Sequence, residues 1–217
     1  MTEPLLELAS IHKTYGRGDE AVVALDDVSL RLWAGEIVAV VGRSGSGKTT
    51  LLNVVAGWEL PDAGTISWQP AGEVLDWSRL GVVPQSMGLM GELTLRENAE
   101  YPLRLARRKD KPDDLEALLQ RLGIAAIADR FPHQASLGEQ QRAAVARALI
   151  LEPPLVLLDE PTSHLDSERA RALFAELLAA ADRGTACLVA THARDVVRNA
   201  ARVVAMEEGS LRESDHA

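Results

Sequence analysis

The run Gly42-Arg43-Ser44-Gly45-Ser46-Gly47-Lys48-Thr49 places three glycines among small polar residues and ends in a cation and a hydroxyl. That spacing suits the cradling of phosphate. Glycines let successive backbone N–H groups turn toward phosphate oxygens. A helix opening at Lys48 adds unpaired N–H groups and the positive end of its dipole. Lys48 would bridge the β- and γ-phosphates of a nucleotide, and Thr49 would set its hydroxyl on Mg²⁺. Thr50 completes the run expected to contact the nucleotide.

A second group lies about 110 residues further on, where the apolar run Leu155-Val156-Leu157-Leu158 ends in Asp159-Glu160. Successive strand residues point to opposite sides, so two adjacent carboxylates at a strand end can do different work. Asp159 would hold Mg²⁺ through a water. Glu160 would polarise an attacking water as general base. Alone, an acidic strand end says little. Downstream of a phosphate-binding loop, the pair reads as the hydrolytic half of a P-loop nucleotide triphosphatase.

Short apolar runs alternating with helical stretches must position these groups, which predicts an α/β fold with a mostly parallel core sheet. Leu5 to Ile11 and Val22 to Leu32 read as an N-terminal antiparallel β portion, with Val28, Leu30 and Leu32 alternating. Glu36 to Val41 reads as a strand buried on both faces. A helix from Lys48 to about Ala56 follows the loop, with Gly57 as its stop. Strands are expected at Thr65 to Trp68 and Leu80 to Val83. From about Ser86 to Leu151 strand signals vanish. Thr94 and Glu97 form a capping-box pattern, Asp113 to Leu122 ends at Gly123, and Glu139 to Leu151 is rich in alanine. The chain then returns to a strand (Leu155 to Leu158), a helix (Ser167 to Ala181), a strand (Thr185 to Ala190), a short helix and a last strand (Val203 to Met206). The expected organisation is one domain over 1–217: a nucleotide-binding core of 1–85 and 152–217, and an inserted helical subdomain of 86–151. Asp215, His216 and Ala217 are expected to fray.

The 217 residues, 47% of them apolar, suffice for one compact core. A net charge of −9 argues against a general nucleic-acid binder, which needs basic surface. The single cysteine, Cys187, rules out a disulfide framework within the chain and reads as a small buried hydrophobe. No segment reaches the ~20 apolar residues of a membrane-spanning helix, and the acidic N-terminus is unlike a signal peptide. The expectation is a cytoplasmic protein; any membrane part would come from another polypeptide. The basic run Arg104, Arg107, Arg108, Lys109 and Lys111 reads as a solvated helix end or as an electrostatic rim beside a membrane partner.

The type of triphosphatase rests on Ala135-Ser136-Leu137-Gly138-Glu139-Gln140-Gln141-Arg142, followed by Ala146-Arg147-Ala148-Leu149. This resembles the ATP-binding-cassette (ABC) family, whose signature reads Leu-Ser-Gly-Gly-Gln/Glu before a helix rich in alanine and arginine. The resemblance covers nearly the whole chain. It implies an ATPase using ATP and Mg²⁺ that powers a separate membrane permease, peripheral on the inner face of the cell membrane. Two copies, or this chain and a paralogue, would sandwich two nucleotides, each site pairing one phosphate-binding loop with the other chain's signature. The implied roles are Tyr15 stacking on adenine, Gln85 linking the site to the helical lobe as a catalytic and Mg²⁺-contacting residue, and His192 sensing γ-phosphate. Ser136, Gly138 and Glu139 would touch nucleotide, as would Asp166 in Ser163-His164-Leu165-Asp166, a loop facing the opposite subunit. Tyr15 to Val22, Leu93 to Asn98 and His133-Gln134 look like the branch of lipoprotein-releasing and macrolide-export ATPases, although Gly64 to Gln85 is shorter than usual there.

The signature departs from the pattern at Ala135, for leucine, and at Leu137, for its first glycine. Glycine at 137 would permit an unusual φ and close approach to phosphate; leucine keeps the N–H but adds bulk. The same motifs would serve a non-transport ATPase that regulates a membrane partner in signalling or cell-wall remodelling. A small-molecule kinase is disfavoured by the signature and the Asp-Glu pair, and a DNA-repair ATPase by the lack of a coiled-coil insertion.

Overall fold

A computed structural model describes residues 3–17, 20–69, 78–107 and 112–213. The expectations for residues 18–19, 70–77, 108–111 and 214–217, including Arg108, Lys109, Lys111 and the C-terminal end, lie outside the described residues.

Strands β1 (Leu6–Arg17), β2 (Glu20–Leu32) and β4 (Ala63–Trp68) form an antiparallel sheet in the order β2-β1-β4. A second sheet has the order β5-β6-β7-β3-β8-β9. Its strands are β3 (Ile37–Val41), β5 (Leu80–Val83), β6 (Leu155–Asp159), β7 (Ala186–Ala190), β8 (Arg202–Glu207) and β9 (Ser210–Glu213). β5, β6, β7, β3 and β8 run parallel. The chain has the expected α/β architecture with a mostly parallel core sheet.

Every residue of β6 and β7 is buried, as a strand covered on both faces requires. The period of two divides these side chains between two cores. Leu155, Leu157 and Leu188 join α1 (Lys48–Val55) and the antiparallel sheet. Val156, Leu158, Cys187 and Val189 join the helices of the other face. Burial raises the Cys187 thiol pKa to about 12, so it is a packing residue at neutral pH.

Between β5 and β6 the described chain is helical: α2 (Leu95–Leu105), α3 (Pro112–Arg121) and α4 (Leu137–Leu149). The Thr94–Glu97 capping box opens α2 as expected. α5 (Ser167–Asp182) and α6 (Arg194–Asn199) complete the layers. Arg121 of α3 donates to both carboxylate oxygens of the nearly buried Glu176 of α5, at 2.8 and 3.0 Å.

Three expectations need correction. The strand at Val203 to Met206 is not the last. β9 follows it antiparallel, through a two-residue turn in which Glu208 (φ 47°) and Gly209 (φ 83°) are both left-handed, the conformation of a tight hairpin. α4 starts at Leu137 and not Glu139, because Ser136 is its N-cap. β1 runs on to Arg17, six residues past the expected Ile11, because its pairing with β2 continues through irregular register to Arg17↔Glu20.

Arg121→Ala should lower unfolding stability by about 1–3 kcal/mol, because it strands the Glu176 carboxylate in a nearly buried position. The urea midpoint measures this. Adding Glu176→Leu should recover part of the loss; no change on the first substitution would show that the pair is freely solvated.

Candidate nucleotide site

Register brings the expected residues to one edge. Val40 of β3 lies opposite Ala190 of β7, and Ala190 lies opposite Asp159 of β6. Leu158 in turn lies opposite Val83 at the end of β5. The segments leaving these strand ends carry the glycine-rich loop, His192, Glu160 and Gln85. They line a cleft of about 550 Å³ with Tyr15, Val22, Val23, Ala24 and Ser163. From the loop itself the cleft takes Gly42, Arg43, Ser44, Gly45, Gly47, Lys48, Thr49 and Thr50.

The loop is tightly packed. A Cβ on Gly47 (φ +109°) would fall 2.3 Å from the Ala24 carbonyl oxygen, so the turn into α1 needs glycine. Ser46 does not line the cleft; it is buried, and among the described residues its hydroxyl has no hydrogen-bond partner. The Lys48 ammonium donates to the carbonyls of Gly42 and Arg43 at 2.8 and 3.1 Å. It is held at the rim as a compact cation.

Thr49 Oγ1 donates to Asp159 Oδ2 at 2.7 Å, joining the start of α1 to the end of β6. Burial raises the Asp159 pKa, and the neighbouring Glu160 charge adds to this, while the Thr49 hydrogen bond and Lys48 oppose it. Glu160 leaves the strand with φ 50° and donates its N–H to the Ala190 carbonyl at 2.8 Å. Its Oε1 lies 2.9 Å from His192 Nδ1. Thr191, buried beneath, anchors the histidine segment: its N–H donates to Val40, and its Oγ1 accepts from Ala193 N–H at 3.0 Å.

Tyr15 forms the far wall, partly exposed, with its hydroxyl bonded to Glu59. Asn53 donates to the other Glu59 oxygen at 2.9 Å. Burial raises the Tyr15 pKa, and the Glu59 hydrogen bond raises it further. Glu59 was not anticipated, because no spacing rule ties it to Tyr15, 44 residues away.

The signature residues do not line this cleft. Ser136 and Glu139 cap α4 reciprocally: the Ser136 N–H donates to Glu139 Oε2 at 2.7 Å, and Ser136 Oγ accepts from the Glu139 N–H at 3.3 Å. The Ser136 N–H bond keeps the Glu139 pKa low. A Cβ on Gly138 would meet the His164 carbonyl oxygen at 2.7 Å, so signature and Ser163–Asp166 loop pack in direct contact. Asp166 is the N-cap of α5, accepting from Arg169 N–H, and that bond lowers its pKa. Leu137 is about half exposed and sits in the first turn of α4 without a positive φ. The unusual backbone conformation associated with glycine there is therefore not used in this chain.

The donor chemistry fits a hard cation. Thr49 Oγ1 and the Asp159 carboxylate are oxygen donors at one rim, and Gln85 lines the same cleft. Among the described residues no cluster of three or more His, Cys, Asp or Glu could hold a metal unaided. Phosphate oxygens and water would have to complete the shell.

The family model described as ABC transporter matches residues 25–163. The chain is 38% identical over 221 aligned positions to the macrolide export ATP-binding/permease protein MacB of Shigella flexneri and of Escherichia coli strain K12. Each alignment covers 96% of this chain and 34% of the relative, so the chain spans about a third of those relatives' length. Among solved structures, the ATP-binding cassette MJ0796 matches as a dimer in a post-hydrolysis state bound to ADP and Pi, with TM-score 0.85 and 31% identity over 98% of this chain and 100% of that one. An ATP-binding subunit of an ABC transporter matches with TM-score 0.85 and 26% identity over 97% of this chain and 90% of that one.

Lys48→Ala should weaken nucleotide binding by more than ~1.4 kcal/mol, a factor of ten, because the loop loses its rim cation. Calorimetry with ATP measures this, and affinity within about twofold of the unsubstituted chain would reject the loop as the phosphate site.

Proposed function

Because this chain belongs to the ABC transporter family and is an ATPase of that family, we propose that it powers a separate membrane permease through ATP-driven closure of a dimer. The observation that carries the reading is the joining of Thr49 to Asp159 at one strand edge, with Glu160 and His192 beside them.

ATP enters with its base against Tyr15 and its phosphates in the Gly42–Thr50 loop. Lys48 turns from the loop carbonyls to the β- and γ-phosphates. Thr49 and Asp159, with Gln85, would hold Mg²⁺, which when bound would neutralise phosphate charge. The attacking water lies between the γ-phosphorus and Glu160. As its oxygen bonds to phosphorus, Glu160 takes a proton and the bond to the ADP oxygen breaks. His192, hydrogen-bonded to Glu160, holds that carboxylate in line and senses the departing phosphate.

Ser136, Gly138 and Glu139 lie outside this cleft, and Asp166 lies in the loop that packs on Gly138. That placement supports their service to the nucleotide of a second copy, or of a paralogous chain. Shared γ-phosphate closes the pair, and its loss opens it. MacB is named as an ATP-binding/permease protein, and the present chain matches about a third of it. Among the described residues no helix is long and apolar enough to cross a membrane. In this reading a permease supplies the span, and this chain docks on the inner face of the cell membrane.

Glu160→Gln should slow hydrolysis by ~10²–10⁴-fold, the usual worth of a general base, while ATP still binds. Light scattering should find a doubled mass with MgATP and not with MgADP. Wild-type turnover in this variant removes Glu160 from the base role. ATP binding without any dimer removes the shared-site mechanism.

A further inference from the structure

Arg147 is a partly buried cation that the site described above does not use. It lies on α4, eleven residues after the Ser136 cap, about 16 Å along a helix at 1.5 Å per residue. Its guanidinium donates to two successive carbonyls, to Met87 O at 2.8 Å and to Gly88 O at 2.6 Å. Burial lowers the Arg147 pKa, with no carboxylate contributing among the described residues. The two short bonds to carbonyls satisfy this partly desolvated cation and tie α4 to the turn it grips.

That turn is unusual. Met87 (φ 62°) and Gly88 (φ 59°) are consecutive left-handed residues, and leucine-sized side chains rarely adopt this region. The turn closes through Met87 N–H to Pro84 O at 2.8 Å and Gly88 N–H to Ser86 O at 2.7 Å. Gln85 lies inside the first of these bonds. Arg147 therefore grips the carbonyl side of the same short turn whose other side presents Gln85 to the cleft. A planar fork fixes both carbonyls in one geometry through two separate N–H groups; a lysine ammonium is a point charge without that fixed plane.

We propose that Arg147 is a positioning residue: its two-carbonyl grip couples the place of α4, and so of the signature at its N-terminus, to the place of Gln85 in the nucleotide cleft. This rests on the reading that Gln85 serves the hydrolytic site. When α4 shifts, the grip carries the Met87–Gly88 turn with it, and Gln85 moves relative to Thr49 and Asp159. Hydrolysis then depends on α4 being in place, although Arg147 touches no nucleotide.

The test is a mutant cycle on the purified chain, with Arg147→Met, Arg147→Lys, Gln85→Ala and the doubles, reading kcat, KM and direct ATP binding. Arg147→Met should lower kcat roughly 10–100-fold, the cost of a small misplacement, with ATP affinity in EDTA within about twofold of the unsubstituted chain. Arg147→Lys, which keeps stem and charge and preserves folding, should also lower kcat and leave that affinity. In the Gln85→Ala background neither substitution should slow turnover further. Effects that multiply in the doubles would overturn the coupling, as would Arg147→Lys at the wild-type rate. If Gln85→Ala alone turns over normally, the reading of Gln85 fails, and the proposal with it. A kcat loss from Arg147→Lys that persists in that background shows that the arginine acts other than through Gln85 and also overturns the proposal.

Discussion

The parallel register of β6, β7 and β3 is the constraint on which the rest depends. Val40, Ala190 and Asp159 lie side by side across three strands. Parallel strands must end at the same edge, so the loops leaving them meet in space although the sequence separates them. The Thr49–Asp159 hydrogen bond spans 110 residues and is possible only in that register. A slip of one residue would turn Asp159 into the core facing the helices and leave Thr49 without its partner. The two apolar cores, one on each face, hold the register, because the alternation of Leu155 and Leu157 against Val156 and Leu158 admits only one sidedness.

Around that edge the chain gathers charge that water would otherwise solvate. Asp159 is buried with Glu160 next in sequence, and both forces raise its pKa. The hydroxyl of Thr49 and the charge of Lys48 act in the other direction. In the proposed reading, a cation bound at Asp159 would offset that carboxylate's charge. The helices between β5 and β6 lie against the site through polar grips as well as packing. Arg121 reaches Glu176 of α5, and Arg147 reaches the turn after Gln85.

Much of this was legible in the sequence, because the relevant signals are local. The strand at Leu80–Val83 falls where its apolar run predicts. The helix after the glycine loop begins at Lys48, and the capping box at Thr94 forms. Phosphate loop, acidic strand end, Gln85 and His192 converge in one cleft. What was not legible is set by tertiary contact or by short, weakly patterned segments. β9 is four residues long with no buried position, so it carries no hydrophobic alternation to read. The Tyr15–Glu59 bond joins residues that only the pairing of β1 with β4 brings together. The resemblance implies that Ser136 contacts nucleotide, yet in the folded chain it also caps its own helix, which starts α4 two residues earlier than the expected Glu139.

The central claim is that Thr49 and Asp159, set side by side by strand register, hold the metal of the bound nucleotide. The direct test is phosphate release as a function of Mg²⁺ concentration in Asp159→Asn, beside ATP affinity measured in EDTA. The account predicts that half-activation needs roughly 10–100-fold more Mg²⁺, while metal-free ATP affinity is preserved, because the loop and Tyr15 are intact. A Mg²⁺ dependence equal to that of the unsubstituted chain would contradict it.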